Sequence, residues 1–284
     1  MDLLRETKNI CSQHKIKPAR SKGQNFLIRE NVYDKIIETA ELNKADIILE
    51  VGPGFGFLTE KLAQKVKKVI AVELDDKLTN ILQNRLNKQS IKNVEVLNRN
   101  ILDVTSYELR VASYKIVANL PYNITSIFLR KFLSAENKPD FMVLMLQKEV
   151  AERICAKPGK MSLLSVSAQY YARPKIIEYV PKHDFWPSPK VDSAIVKLRI
   201  HKETKFPAGN LVSGNEKVFF RLVKFGFSSK RKMLKNNLAA GCHISQIKAK
   251  NRLIKAGFKE NIRAQELSVR DWIKLFGSFR QNML

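Results

Sequence analysis

Five short apolar runs, separated by turns and by segments with helical spacing, limit the folds open to this 284-residue chain. The runs are residues 47–51, 68–73, 94–97, 115–118 and 141–146. Strands buried on both faces read as near-continuous apolar runs, and their alternation with helices indicates a parallel sheet covered on both sides. Two further strand-like runs, 176–180 and 191–200, are expected near a sheet edge. We therefore predict an α/β fold with a mostly parallel sheet of about seven strands.

Positive charge is concentrated in the last third of the chain. The chain carries 51 Lys and Arg against 27 Asp and Glu, a formal net charge of +24. Residues 201–284 hold +13 of this charge, and from about residue 205 the helical period replaces strand-like runs. Such an excess predicts a polyanionic partner, nucleic acid before membrane; the alternative is a lysine-rich host composition. We predict a basic N-terminal arm (1–22), an α/β domain (23–204) and a helical, basic domain that binds nucleic acid (205–284).

Composition also argues against several classes of protein. The longest uninterrupted apolar run, residues 141–146, is far shorter than the roughly 20 residues of a membrane span. The first 25 residues lack the pattern of a secretory signal. Cys11, Cys155 and Cys242 are far apart and form no Cys-x-x-Cys pair, so neither a disulfide framework nor a zinc site is expected. We predict a cytoplasmic protein, a monomer, without a membrane partner or a metal.

A glycine-rich turn follows the first strand. Gly52, Gly54 and Gly56 stand where the backbone turns sharply and lets a ligand approach, but Phe57 takes the place of the third glycine of a dinucleotide fingerprint. Glu73 closes the second strand, where an acidic side chain can accept both hydroxyls of a ribose; the alternative is a solvated acid at a strand end. Together these features favour a nucleoside without phosphates, such as S-adenosylmethionine.

The fourth strand ends in Asn119, Leu120, Pro121 and Tyr122. The amine of adenine is a poor nucleophile because its lone pair is delocalised into the ring. The Asn119 side-chain oxygen and the Leu120 carbonyl can hold its two hydrogens and draw the nitrogen towards a pyramidal geometry, while Tyr122 stacks on the base and Pro121 fixes the chain direction. The alternative is an ordinary Asn-Pro turn. The tetrad at this sheet edge favours methyl transfer to adenine.

These motifs, together with others in the same order, resemble the small-subunit rRNA adenine dimethyltransferase family from about Lys22 to Phe276. The further matching segments are residues 23–27, 146–153, 187–194, 230–232 and 236–238. The resemblance implies a Rossmann-like, S-adenosylmethionine-dependent methyltransferase sheet. It also implies an enzyme that dimethylates two adjacent adenosines in the 3′-terminal hairpin of 16S rRNA, within an immature small ribosomal subunit. The macrolide-resistance methyltransferases of large-subunit rRNA are similar over the first 200 residues.

Carried over to this sequence, the resemblance implies specific site residues. Asn25 and Leu27 would close over the methionine end of the cofactor, and Phe185 would pack on the flipped adenine opposite Tyr122, unless it is a core residue that anchors its loop. Asn100 stands where the family usually has an Asp that receives the cofactor's adenine amine, so the charge assistance of that bond is absent. The complete predicted cofactor set is Gln24, Asn25, Leu27, Glu50, Gly52, Gly54, Glu73, Asn100, Ile101 and Asn119.

A cationic cluster in the tail is the predicted RNA contact. Lys230, Arg231, Lys232 and Lys235 fall within six positions, while Leu234 and Leu238 at i, i+4 spacing would anchor one face of a helix. The alternative for the cluster is a solvated charged face. Two other functions stay open: a ribosome-assembly factor whose methylation is secondary, and a methyltransferase acting on 23S rRNA or on DNA.

Overall fold

The computed structural model describes residues 2–19, 23–105, 108–109, 111–201, 212, 215–229 and 231–280. The chain forms two compact units, which are residues 1–151 with 173–200 and residues 152–172 with 201–284. This division differs from the predicted boundary at residue 204, because residues 152–172 belong with the helical tail. The rings of Tyr170 and Phe219 lie 5.2 Å apart, and those of Tyr171 and Phe220 lie 5.8 Å apart.

The first unit holds the strands and the helices that cover them. Its helices are α1 (Leu3–Gln13), α2 (Glu30–Ala40), α3 (Phe57–Ala63), α4 (Asp76–Lys88), α5 (Thr125–Leu133) and the start of α6 (Lys148–Ile154). Its strands are β1 (Phe26–Leu27), β2 (Ile47–Val51), β3 (Lys68–Glu73), β4 (Val94–Asn98), β5 (Lys115–Asn119), β6 (Phe141–Gln147), β7 (Ala172–Val180, from Arg173 onwards), β8 (Phe185–Trp186) and β9 (Ser193–Ile200).

Seven strands form one sheet in the order β4-β3-β2-β5-β6-β9-β7. The pairs β2–β3, β3–β4, β2–β5 and β5–β6 are parallel, whereas β9 runs antiparallel to β6. The predicted α/β class and the mostly parallel seven-stranded sheet are therefore confirmed. The strand order reverses direction between β2 and β5, which is where open α/β sheets bind ligands, beyond the carboxyl ends of the strands.

The N-terminal segment folds differently from the predicted basic arm. It contains helix α1, which begins at an Asp2 cap whose side chain accepts from the Arg5 N–H. Leu3, Ile10 and Cys11 lie on one face of this helix and are buried in the core of the first unit. Apolar residues spaced seven and eight positions apart share one face of a helix, and that burial makes helix α1 part of the first unit.

The second unit is helical in the part of the chain that the structure describes. Its helices are the end of α6, α7 (Leu163–Tyr171), α8 (Glu216–Gly226), α9 (Leu234–Gly241), α10 (Gln246–Lys255) and α11 (Val269–Phe279). Phe219 and Phe276 are fully buried and meet edge to face, with ring centroids 5.7 Å apart. Trp272 is also fully buried, so large aromatic side chains from α8 and α11 form the core of this unit. No helix among the described residues is both long and apolar enough to cross a membrane.

Candidate cofactor and substrate site

A cavity of about 250 Å³ opens at the carboxyl ends of β2, β3 and β5. The structure brings the predicted cofactor residues together around it, although they come from five separate parts of the sequence. The lining includes Gln24, Asn25, Leu27, Glu50, Gly52, Gly54, Glu73, Asn100, Ile101 and Asn119, and also Leu120, Pro121 and Tyr122. Of the predicted catalytic and cofactor residues, only Phe185 is missing from this lining.

Glu73 is held in place by the backbone around it. One carboxylate oxygen, Oε2, accepts from the Gly54 N–H at 3.1 Å, and the other accepts from the Asp75 N–H at 3.0 Å. Burial raises the pKa of this carboxyl, and the backbone donors oppose that rise. Because a carboxylate offers about four acceptor positions, both oxygens can still accept the hydroxyls of a ribose.

Glu50 is an unusual acid, since it is only 1% exposed and is the penultimate residue of β2 in the sheet. Its Oε2 makes no hydrogen bond with any described residue. Burial raises the pKa of this carboxyl to about 8; the nearby Thr59 side chain opposes the rise, and the charge of Glu73 acts in the same direction as burial. Leaving a polar atom unpaired in a dry site costs free energy, so a lining carboxylate of this kind suits a ligand that brings a cationic or N–H group.

Asn119 and Tyr122 lie on the side of the cavity formed by β5 and the turn after it. Asn119 is the last residue of β5 and lies opposite Met145 of β6. The Tyr122 hydroxyl lies 2.7 Å from Ser193 Oγ, at the start of β9. This bond fixes the ring from its far end, so the ring is positioned before any base arrives.

The segment 23–27 packs against this turn. A Cβ placed on Gly23 would lie 3.3 Å from Pro121 Cβ, so the two segments are in close contact. The Gln24 side chain donates to Asp75 Oδ2 at 3.2 Å, which ties the segment to the loop after Glu73. Phe26 and Leu27 then pair with Trp186 and Phe185 in a two-stranded antiparallel ladder. The segment 23–27 therefore contacts both the turn after β5 and the loop after β3, which line two sides of the cavity.

Phe185 does not face the cavity as predicted. It is 2% exposed and belongs to the hydrophobic core, where it pairs with Leu27. Burial of an aromatic side chain this large is strongly favourable, and it accounts for the position of the ring. Phe185 is therefore a core residue that anchors its loop, which is the alternative role considered for it.

Asn100 lines the cavity at the loop after β4, and its Oδ1 accepts from the Leu102 N–H at 3.0 Å. The side chain thus stabilises its own turn, and one lone pair of the oxygen is already used. Its part in cofactor binding stays a prediction.

Sequence reasoning missed several lining or supporting residues, among them Tyr33, Leu74 and Ser193. Tyr33 reaches the cavity from α2 and donates to the Leu27 carbonyl at 3.0 Å. Leu74 lines it while 66% exposed, so its side chain is available to cover a flat ring. Ser193 could have been found from the matching segment 187–194 that contains it, whereas Tyr33 carried no signal beyond helical spacing.

Comparison with known proteins decides the family. A model described as "Ribosomal RNA adenine dimethylase" matches residues 15–281. A protein named ribosomal RNA small subunit methyltransferase A, from Dehalococcoides mccartyi, is 40% identical over 283 residues, which cover 99% of this chain and 94% of that protein. The chain belongs to the ribosomal RNA adenine dimethylase family.

Two solved structures extend the likeness to the fold of this dimethylase. A dimethyladenosine transferase from Plasmodium falciparum matches with a TM-score of 0.75 and 27% identity, over 90% of this chain and 98% of that one. The 23S rRNA methyltransferase ErmE matches with a TM-score of 0.71 and 27% identity, over 90% and 100%. The predicted Rossmann-like methyltransferase fold is confirmed.

The predicted RNA-binding cluster of the dimethylase is only partly as expected. Lys230 lies outside the described residues, and Arg231 and Lys232 are exposed. Lys235 is instead 21% exposed, with its Nζ 3.6 Å from Glu260 Oε2, which also contacts Lys250 at 2.5 Å. Leu234 and Leu238 are fully buried, as their spacing predicts.

Proposed function

We propose that this dimethylase transfers methyl groups from S-adenosylmethionine to the exocyclic amines of two adjacent adenosines in the 3′-terminal hairpin of 16S rRNA. The observation that carries the proposal is the meeting, in one cavity, of the carboxylates of Glu50 and Glu73 with the Asn119–Tyr122 tetrad. The first pair suits a cationic nucleoside, and the tetrad suits an adenine. The names of the relatives support a ribosomal RNA as the substrate.

The residues fit S-adenosylmethionine by charge and by shape. Glu73, fixed by two backbone N–H groups, is placed to accept the ribose hydroxyls. The unpaired Oε2 of Glu50 would receive the ammonium of the methionine part, and Leu74 would cover the adenine. The cofactor supplies a methyl group that is already activated on a sulfonium, so no further activation of the methyl donor is needed.

The chain's own contribution is to prepare the target nitrogen. The Asn119 side-chain oxygen and the Leu120 carbonyl accept its two hydrogens, which localises the lone pair on nitrogen. They also favour the positive charge that develops there as the new N–C bond forms and the sulfur–methyl bond breaks, which leaves a neutral thioether; the nitrogen then loses one proton to water. Tyr122, held by Ser193, stacks on the base and fixes its angle. An unpaired loop lowers the cost of taking the adenine out of its stack.

A cationic surface in the second unit would hold the RNA. We expect Arg231 and Lys232 to contact phosphates, since both are exposed, whereas Lys235 forms an ion pair with Glu260. Replacing Arg231 and Lys232 by Gln should lower the affinity for small subunits. It should also reduce the salt-dependence slope by about 0.7–0.9 for each phosphate that is no longer neutralised. Parental affinity and slope in this double variant would place the RNA-binding surface elsewhere.

The decisive experiment uses S-adenosylmethionine labelled in its methyl group. The protein is incubated separately with undermethylated small ribosomal subunits, with large subunits and with DNA, and the nucleosides are then identified by mass spectrometry. We expect dimethyladenosine in 16S rRNA alone, and none with the Asn119→Ala variant. Label in 23S rRNA or in DNA would identify one of the alternative substrates. Tight binding to small subunits without methylation would instead favour the assembly-factor function.

The proposed function also includes an oligomeric state, a location in the cell and the absence of a metal. We expect a monomer that acts in the cytoplasm on an immature small subunit. Within the described residues no group of three or more His, Cys, Asp or Glu side chains is arranged to bind a metal. The prediction that no metal takes part is tested by assaying the protein with and without a chelator.

A further inference from the structure

An exposed aromatic ring lies beside a lysine near the end of β7. Tyr179 is 49% exposed on β7, which is the edge strand of the seven-stranded sheet. The Nζ of Lys148 lies 5.2 Å from the centroid of this ring, at a distance where a cation interacts with an aromatic face. The pair thus presents a flat apolar surface and a positive charge to solvent.

This pair lies next to the substrate side of the cavity. Lys148 directly follows Gln147, and Gln147 lies opposite Ser193 in the β6–β9 ladder. Ser193 is the residue that holds the Tyr122 hydroxyl at 2.7 Å. The backbone N–H of Lys148 also donates to the Asp192 carbonyl at 2.9 Å, so its main chain is fixed one residue from that contact. β7 neighbours β9 in the sheet, which places Tyr179 on the same side of the molecule.

Positive charge is carried by Lys148 and by the loop that follows β7. Lys148, Lys182 and Lys190 are all exposed, and none of them forms an ion pair with a carboxylate among the described residues. Lys182 and Lys190 stand on the loop that joins β7 to β9, through the short strand β8. Such lysines can neutralise phosphates without giving up an existing ion pair.

The neighbouring acids do not cancel this charge. Asp184 pairs with Arg29 at 3.0 Å. Glu178 precedes Tyr179 on the strand and therefore points to the opposite face, where its charge acts on Lys35. Asp192, whose Oδ1 accepts from the Lys182 backbone N–H at 3.0 Å, and the exposed Glu149 keep their charges, so two carboxylates stand against the three lysines.

We propose that Tyr179 and Lys148 form a second base-binding platform, on which a nucleotide next to the target adenosine stacks. This inference rests on the proposed function, because it needs a single-stranded RNA segment at the mouth of the cavity. The base stacks on the exposed part of the Tyr179 ring that Lys148 Nζ does not cover, and a phosphate of the same segment meets Lys148. Every base has a flat face, so the platform positions the strand and needs no particular sequence. A base stacked there helps to keep the target adenosine out of its own stack.

The test compares four variants on undermethylated small subunits. Tyr179→Ala should raise the KM for subunits roughly fivefold to tenfold, within the range found for loss of one stacked base, while kcat changes little. Tyr179→Phe keeps the ring and should restore the parental KM. Lys148→Gln should raise KM and reduce the salt dependence of binding. Lys88→Gln, an exposed lysine at the far end of α4, is the matched control and should behave as the parent.

A second arm locates the base. RNA hairpins that carry an abasic nucleotide beside the target adenosines should bind the parent protein about tenfold more weakly than intact hairpins. They should bind Tyr179→Ala no more weakly than intact hairpins do, because this variant has no ring on which a base could stack. An equal effect of the abasic site on both proteins would overturn the proposal. So would a parental KM in Tyr179→Ala, or a raised KM in Tyr179→Phe.

The proposed function and the Tyr179–Lys148 platform can be refuted separately. If the parent protein forms no dimethyladenosine on small subunits, the proposed function is wrong and the platform falls with it. If the parent protein is active and Tyr179→Ala matches it in both KM and hairpin binding, only the platform is wrong. Calorimetry with S-adenosylmethionine should give the same affinity for all four variants and the parent, since none of the substituted side chains lines the cavity.

Discussion

The buried carboxyl of Glu50 should make the stability of this dimethylase depend on pH in a direction that is unusual for an acidic residue. In the unfolded chain its pKa is about 4.5, and in the folded chain burial raises the pKa to about 8. The folded state therefore holds the proton more tightly than the unfolded state. The resulting stabilisation is complete below pH 4.5 and is lost as the pH rises towards 8.

The magnitude follows from the width of that window. Each pH unit in which only the folded state keeps the proton changes the free energy of unfolding by about 1.4 kcal/mol. Between pH 5 and pH 8 this amounts to roughly 3–4 kcal/mol, less than three full units because the folded state is already half ionised at pH 8. The Glu50→Gln variant has no such proton. We expect the free energy of unfolding of the parent to fall by roughly 3–4 kcal/mol more than that of Glu50→Gln over this range.

Urea denaturation followed by circular dichroism at pH 5, 6, 7 and 8 measures the difference. Glu136→Gln, which changes an exposed acid of the same unit, is the matched control and should run parallel to the parent. Saturating S-adenosylmethionine should flatten the parental curve, because an ammonium beside Glu50 favours the ionised carboxylate. Parallel curves for the parent and Glu50→Gln without ligand would refute the reasoning.

Three further outcomes test other parts of the first unit. Glu73→Ala should weaken S-adenosylmethionine binding by about 1–3 kcal/mol through loss of charge-assisted hydrogen bonds; calorimetry measures this, and an unchanged affinity would remove Glu73 from the site. Tyr122→Ala should abolish or greatly slow dimethyladenosine formation. Tyr122→Phe, which loses only the bond to Ser193, should cost about 0.5–1.5 kcal/mol in kcat/KM; mass spectrometry of the treated RNA compares them, and equal losses would contradict a stacking role for the ring. Gly56→Ala should lower the thermal stability, since the added Cβ would lie 2.5 Å from Leu82 Cδ1 at a backbone φ of +90°; a parental Tm would show that Leu82 and the turn adjust freely.

Much of the fold was predictable because its signals are local. The apolar runs of β2, β3, β5 and β6 fall within one or two residues of the observed strands. The ends of those strands then had to meet at one edge of a parallel sheet, so Glu73 and Asn119 could be assigned to one site. The sequence carries such information wherever strand burial and chain direction are enough to place a residue.

Other contacts depend on tertiary packing and could not be predicted. The pairing of β1 with β8 joins residues about 160 positions apart, and no local pattern marks either strand. That pairing decides that Phe185 packs in the core. In the same way, the buried face of α1 is visible as helical spacing, but only the fold shows which surface covers it.

The bond between Tyr122 and Ser193 has a consequence for the order in which the protein becomes competent during synthesis. Residues 23–101 supply Glu50, Glu73 and the loops around them, so the nucleoside half of the cavity is encoded early. The other half needs a hydroxyl that is added 71 residues after Tyr122, on a strand that inserts between β6 and β7. A nascent chain that stops before residue 193 therefore has the groups proposed to hold the methyl donor but lacks the fixed ring proposed to hold the adenine against it.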